Sequence, residues 1–256
     1  MNNREMFDLT DKVAVVTGGA GAIGSVVAKG LAEFGAHIVI ADINLEGGEE
    51  VAQQVESLGR KALALNTDVS RQDEVQEMVR SVKNSFGTID ILFNNAGIIG
   101  RYPAEELPLA EWARIIEVNL TGAFLVAQAV AVTAMIPQKA GKIINTSSFA
   151  AFRGRKRGAA YASSKSGLIA LTRVLANDWG KYNINVNSLA PSNLDTPMTA
   201  PALSDPERRQ RAISSTPLGR LGKPEDLFGT VLFLASRASD FVTGQIVSVE
   251  GGRYSE

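Results

Sequence analysis

Cysteine is absent from the 256 residues. That excludes a disulfide framework, a thiolate metal site and a cysteine nucleophile, and it suits a reducing cytoplasm, the expected location. Histidine is nearly absent as well. His37 is the single one and lies in a strand-like apolar run, so no metal site is expected. Neither sign of charge is in excess: 26 Lys and Arg against 27 Asp and Glu leave a net −1. A general attraction to nucleic acid or to an anionic membrane is thereby excluded. Long hydrophobic runs are missing too. The most apolar segment, residues 122–136, is 15 residues long and contains Gln128 and Thr133, which reads as a buried helix too short to span a bilayer. Residues 1–11 are polar and carry no apolar core of a signal peptide.

What is present is a rhythm. The apolar run 12–16 leads into Thr17-Gly18-Gly19-Ala20-Gly21-Ala22-Ile23-Gly24, and a helical pattern of Val26, Val27, Leu31 and Phe34 follows. Strand, glycine turn and helix are the setting in which backbone amides and a helix N-terminus meet a phosphate, although the same turn also serves tight packing. The next run, 37–41, ends at Asp42, which is 24 residues beyond Gly18. A carboxylate there accepts both ribose hydroxyls of an adenosine and repels a 2′-phosphate. No basic residue stands at Ile43 or Asn44 or in the turn, so NAD is favoured over NADP.

The alternation continues with helices at 45–58 and 73–86, strands at 62–66 and 89–93, helices at 109–119 and 120–136, and a strand at 142–145. A helix through Tyr161 to about 180, a strand at 184–189, helical stretches at 205–212 and 224–235 and a strand at 245–249 complete it. This pattern predicts an α/β protein, a doubly wound parallel sheet covered by helices on both faces, as one domain over 1–256. Ligands of such sheets sit at the carboxyl ends of the strands. Here those ends carry Asp68 and Val69, then Asn94-Asn95-Ala96-Gly97.

Tyr161-Ala162-Ser163-Ser164-Lys165 places a phenol and an ammonium four residues apart, on one helix face. A tyrosine titrates near pH ~10, so a group that accepts a proton near neutrality needs its pKa lowered by about three units, roughly 4 kcal/mol. An ammonium about 4 Å away, at an effective dielectric of about 20, contributes on that order. Isolated pairs of this spacing are more often surface residues, so the surrounding motifs decide.

Those motifs resemble the classical short-chain dehydrogenase/reductase family over nearly the whole chain: TGGAGAIG, NNAG, Asn119 in VNLTG, Ser148 placed 13 residues before Tyr161, YASSK, and the segment 191–196. The resemblance implies a Rossmann fold with seven parallel strands in the order 3-2-1-4-5-6-7. It implies Tyr161 as general acid–base, Lys165 as the cation that lowers its pKa and binds the nicotinamide ribose, Ser148 as hydrogen-bond donor to the substrate oxygen, and Asn119 as part of a proton relay through a backbone-bound water. It assigns Gly18, Ala22, Ile23 and Gly24 to the pyrophosphate turn, Asp42 to the adenosine ribose, and Asp68 and Val69 to the adenine. Asn95, Ala96 and Gly97 fall to the middle of the cofactor, and Pro191 and Thr196 to the carboxamide side. Asn95 could also only brace a turn. Ala22, Ser192 and Glu250 depart from the family's usual glycine, glycine and aspartate.

Phe7-Asp8-Leu9, the stretch 102–106, 204–207 and Asn183-Ile184-Asn185-Val186-Asn187 resemble the gluconate 5-dehydrogenase and 2-deoxygluconate 3-dehydrogenase branch. Independently, Arg153, Arg155, Lys156 and Arg157 crowd the loop before Tyr161, either as a solvated basic loop or as an anion contact for substrate, and Arg101 is a second candidate. The reading is an NAD-dependent dehydrogenase of a secondary alcohol in a sugar acid or polyol. The alternatives are a 3-oxoacyl-carrier-protein reductase and a non-catalytic dinucleotide-binding regulator. A substrate loop is expected at about 192–216. Apolar residues on more than one face of helix 120–136, together with Leu168, Leu171 and Leu175, suggest burial between subunits, and the resemblance implies a homodimer or homotetramer.

Overall fold

The computed structural model describes residues 3–154 and 156–253. Seven strands, β1 (Val13–Thr17), β2 (His37–Asp42), β3 (Ala62–Asn66), β4 (Ile91–Asn94), β5 (Gly141–Thr146), β6 (Ile184–Pro191) and β7 (Ile246–Val249), form one sheet. Its order is β3-β2-β1-β4-β5-β6-β7, and every pairing is parallel. The order reverses between β1 and β4, which opens a crevice at their carboxyl ends.

Both faces are covered, which explains why the strands are apolar without alternation. In β1, Ala14 and Val16 join the core beneath α1 (Ala22–Glu33), α2 (Leu45–Ser57) and α8 (Glu225–Ala235). Val13 and Val15 face the opposite core, beneath α3 (Gln72–Phe86), α4 (Leu109–Gln138) and α5 (Ala159–Trp179). Phe93, Ile38, Ile40, Ile143 and Ile144 are fully buried, each contributing about 1.5–3 kcal/mol relative to exposure. Local chemistry sets the helix ends. Asn44 caps α2 by accepting from the Gly47 amide, and α3 opens with Asp73 and Glu74 and stops at left-handed Gly87.

Two expectations are corrected. The helices expected at 109–119 and 120–136 are one continuous helix of 30 residues, long and apolar enough by composition to cross a membrane, yet packed along α3 and α5 with its apolar face in the core. Nothing in the local pattern marked the junction as helical, because wider π-helical turns at Glu117–Gly122 and Ala131–Met135 shift the phase of the apolar stripe. Second, Leu175 lies in the core of its own sheet, Leu171 packs against that core and Leu168 is buried within its own chain, so the stripe is largely covered inside the subunit. The segment 192–216 carries a short helix, α6 (Ala200–Leu203), and the expected helical stretch as α7 (Pro206–Ser214), capped by Asp205. Smaller differences are one or two residues at strand ends, such as β4 starting at Ile91 rather than at residue 89.

Candidate functional site

The glycine turn lies between β1 and α1. Gly18 has a φ of 61°, open to glycine, and a β-carbon there would lie 2.9 Å from the Ala96 Cα. Gly21 caps α1 without a side chain, and the first turn holds no acidic residue, so the helix presents its N-terminus unobstructed. Ala22 is the first residue of regular helix and is half-buried. Asp42 closes the turn from β2. One of its carboxylate oxygens accepts the Ala20 amide and the other the Asn44 amide, each at 3.0 Å. Each oxygen retains a second lone pair for a hydroxyl. This cradle of amides beside a carboxylate fits a dinucleotide.

Asn95, at the end of β4, donates from its amide to the carbonyls of Thr17 and Gly18, both at 3.2 Å, while Thr17 Oγ1 accepts the amides of Asn95 and Ala96. The side chain of Asn95 therefore braces the glycine turn. Asp68 is turned inward on its own loop, accepting from the amide and hydroxyl of Ser70 at 2.9 and 2.7 Å. Val69 is buried and packs against Gly122.

The second half of the site is built on α5, whose 21 residues begin two positions before Tyr161. Gly158 caps it without a side chain and no acidic residue stands in its first turn. The helix N-terminus thus favours negative charge on the phenol, an effect that the residue pair alone did not reveal. Lys165 lies one turn on, 4 % exposed, with Nζ 5.9 Å from the Tyr161 ring centroid and donating to the Thr146 carbonyl at 2.7 Å. Burial lowers its pKa to about 8. Asn119 sits in the first π-helical stretch, fully buried. Its Oδ1 accepts the Ile98 amide at 2.8 Å, and its Nδ2 donates to the Ile98 carbonyl at 2.9 Å and to Ser164 Oγ at 3.1 Å. Gly97 fills the gap, and a β-carbon there would lie 3.2 Å from Asn119 Oδ1 and 3.4 Å from Lys165 Nζ.

At the end of β5, two adjacent serines separate. Ser147 is buried and donates to the Lys165 carbonyl at 2.9 Å, tying α5 to the sheet. Ser148 is half-buried and its Oγ accepts the Ala150 amide at 3.1 Å, an arrangement that leaves its proton oriented by whatever oxygen meets it.

A buried ammonium costs stability that a neutral side chain does not. Because the folded pKa of Lys165 lies below its unfolded value near 10.5, the unfolded chain binds more protons between about pH 8 and 10.5, and the penalty is complete below pH 8 and relaxes as pH rises through that window. Lys165→Met is expected to stabilise the fold at pH 7 by about 1–2 kcal/mol, after subtracting the lost Thr146 hydrogen bond, with the gain shrinking towards pH 10.5. Denaturant melts at pH 7 and pH 10 check it, and a variant that is less stable at pH 7 contradicts it.

Pro191 ends β6 and pairs with Val249. Thr196 is occupied in its own loop, where its amide donates to Thr199 Oγ1 at 3.1 Å and the two hydroxyls meet at the same distance. Arg101 is exposed on the loop after β4. Arg153 is exposed, with its guanidinium 5.4 Å from the Phe149 ring centroid, and Arg155 lies outside the described residues. Sequence reasoning missed Arg253, whose guanidinium lies 5.3 Å from the same ring and whose Nη1 donates to Ser192 Oγ at 2.9 Å. Two residues past the final glycine pair's start, it carried no motif. Among the described residues no group of three His, Cys, Asp or Glu is placed to hold a metal.

The family model described as enoyl-(acyl carrier protein) reductase matches residues 18–253. The 2-dehydro-3-deoxy-D-gluconate 5-dehydrogenase of Escherichia coli is 41% identical over 246 residues, 96% of each chain. The gluconate 5-dehydrogenase of Gluconobacter oxydans is 39% identical over 252 residues, 98% of each. A crystal structure of a gluconate 5-dehydrogenase from Burkholderia cenocepacia, in complex with NADP and tartrate, superposes with a TM-score of 0.95 at 38% identity, again covering 98% of each chain.

Proposed function

Since the chain belongs to the short-chain dehydrogenase/reductase family, we propose that it oxidises a secondary alcohol of a sugar acid, or reduces the corresponding ketone, with NAD. The observation that carries this reading is that Lys165 Nζ lies 5.9 Å from the Tyr161 ring centroid and, with Asn119 Oδ1, flanks Gly97, the loop residue after β4, while Ser148 follows the end of β5. The sugar-acid substrate rests on the names of relatives about 40% identical over almost their full length.

In this reading a nicotinamide cofactor, held by the glycine turn and Asp42, would supply hydride transfer at the substrate carbon. The chain does the rest. Tyr161 takes the hydroxyl proton during oxidation and gives it back during reduction, helped by the helix N-terminus and the neighbouring cation of Lys165. Ser148 donates to the substrate oxygen, where charge develops. Lys165 is held in place by the Thr146 carbonyl, and Asn119 locks the Ile98 loop against α5 through Ser164. Asp42, with the apolar, exposed Ile43 beside it, supports the choice of NAD through repulsion of a 2′-phosphate. Exposed Leu109 and Val132 on α4 and Val174 on α5 support packing against a second copy, as a dimer or tetramer.

Steady-state turnover with NAD and NADP across sugar acids, polyols and acyl thioesters tests the reading. Sugar acids with NAD are expected to give the highest kcat/KM. Asp42→Asn keeps an acceptor for the Ala20 amide but removes the charge, and is expected to cut the NAD-over-NADP preference tenfold or more, on the order of 1.4 kcal/mol. An unchanged preference removes the role of Asp42, and turnover of acyl thioesters with NADPH overturns substrate and cofactor together.

A further inference from the structure

Asn119 and the first turn of α5 meet at a residue that the proposed mechanism uses only as an anchor. Ser164, fully buried, gives its hydroxyl proton to the Tyr161 carbonyl at 2.8 Å and accepts Asn119 Nδ2 at 3.1 Å. A hydroxyl has one proton, so an Oγ that has donated it within its own helix can only accept from elsewhere. The Asn119 amide is thereby left one orientation. Its Nδ2 faces Ser164 and, at 2.9 Å, the Ile98 carbonyl, while its Oδ1 faces the Ile98 amide at 2.8 Å. Turned over, the amide would set its oxygen against an acceptor and its nitrogen against a donor at a fully buried position. The same arrangement recurs eight residues on, about 12 Å further along α5. There Thr172, also fully buried, donates to the Leu168 carbonyl at 2.8 Å and accepts Asn145 Nδ2 at 3.0 Å, which joins β5 to the helix.

We infer that Ser164 is a positioning residue for the proton transfer: by fixing the Asn119 amide, it decides which atom stands beside the Lys165 ammonium. This rests on the dehydrogenase reading above. A β-carbon at Gly97 would lie 3.2 Å from Asn119 Oδ1 and 3.4 Å from Lys165 Nζ, so the two groups flank one small residue. With Ser164 in place, the group across Gly97 from the ammonium is a carbonyl oxygen, whose partial negative charge favours the charged lysine. Reversed, it is an amino group, whose partial positive charge disfavours it. Lys165 has few other supports. Its Nζ donates to the Thr146 carbonyl on β5 at 2.7 Å and lies 5.9 Å from the Tyr161 ring centroid, and burial shifts its titration without a charged neighbour among the described residues. An oriented dipole therefore weighs more there than it would in water. A less stable ammonium assists the Tyr161 phenolate less, so the alcohol gives up its proton only at higher pH. Thr172 and Asn145 have the same bonding without this neighbour, and their role is to hold the helix on the sheet.

The test is the pH dependence of kcat for alcohol oxidation by the full-length protein, with sugar acids and polyols as substrates. The wild type is compared with Ser164→Ala, Ser164→Cys and Thr172→Val, alongside denaturant melts and NADH titrations. Ser164→Ala is expected to lower kcat about 10- to 100-fold and to move the rise of kcat to higher pH, with KM and NADH affinity nearly unchanged. Ser164→Cys keeps the side-chain shape but offers only a weak donor and acceptor, so its curve falls between the two and carries the test should the alanine variant not fold. Thr172→Val removes the equivalent hydroxyl further along the helix. It is expected to lower the denaturation midpoint and to leave kcat and its pH curve close to those of the wild type. Curves of the Ser164 variants that superimpose on the wild type overturn the inference and leave the dehydrogenase reading standing. So does a Thr172→Val variant whose kcat and pH curve move as far as those of Ser164→Ala, since the hydroxyls then only hold the fold. A wild type that binds NADH and turns over no alcohol overturns both.

Discussion

Tyr161→Phe is expected to lower kcat by about 10²- to 10⁴-fold while NADH affinity falls far less. The substitution removes one oxygen and leaves the ring that packs under Lys165. It leaves the first turn of α5 intact, since Ser164 Oγ bonds the backbone carbonyl of residue 161 rather than its phenol. What disappears is the hydroxyl assigned to exchange a proton with the alcohol, because Ser148 and Asn119 do not titrate near neutrality and Lys165 is buried beside the phenol ring, held by the Thr146 carbonyl. Single-turnover hydride transfer, with NADH binding as the companion measurement, separates the chemistry from the binding. A variant that keeps more than a tenth of wild-type kcat shows that some other group moves the proton, and the regulator hypothesis gains if the wild type binds NADH yet turns over no alcohol.

Gly24→Ala is expected to abolish useful cofactor binding, weakening it by more than tenfold, and to destabilise the fold by about 1–3 kcal/mol. The β-carbon added at residue 24 would stand 2.2 Å from the Gly18 carbonyl oxygen and 2.7 Å from the Gly19 Cα. Both are backbone atoms of the turn that presents its amides to the pyrophosphate, so neither can yield without moving the cradle. Gly19 is itself pressed against Ile40 of β2, which blocks retreat in that direction. The contrast is Gly180, at the end of α5, where an added β-carbon meets nothing within 4 Å and the φ of −55° suits any residue. Gly180→Ala is expected to raise stability by about 0.4–1 kcal/mol through the unfolded state. Denaturant melts and NADH titrations of the two variants check the pair. Equal effects at the two positions would show that the turn is more compliant than its contacts imply.

The sheet was legible because its signals are local and repeated. Each strand is a short apolar run and each helix a 3.6-residue pattern, and seven alternations leave little choice of class. The candidate site was legible where its members lie close in sequence or at a set spacing, as with Tyr161 and Lys165, or Asp42 after the glycine turn. It was less legible where a residue's partner is remote. For Asn95 the sequence left a cofactor contact and a turn brace side by side, and only the fold shows its amide on carbonyls of the glycine turn, 77 and 78 residues earlier. Leu168, Leu171 and Leu175 looked like a second stripe because the helical pattern does not say which stripe faces the sheet. The two helices assigned at 109–136 were one, since π-helical turns let a continuous helix change the face it buries.

By itself the sequence determined the α/β class, the strand count and order implied by its family, the glycine turn, and the phenol–ammonium pair, because these depend on residue type and on separations of a few residues along one chain direction. Only the tertiary structure decided that Ser147 ties a helix to the sheet while Ser148 faces outward, that Asn119 locks the Ile98 loop, and that Arg253 reaches Ser192 across 61 residues to share a ring with Arg153. Such pairings are chosen by how strands β4, β5 and β6 stack side by side and by what space remains at their ends, and no separation along the chain encodes that distance.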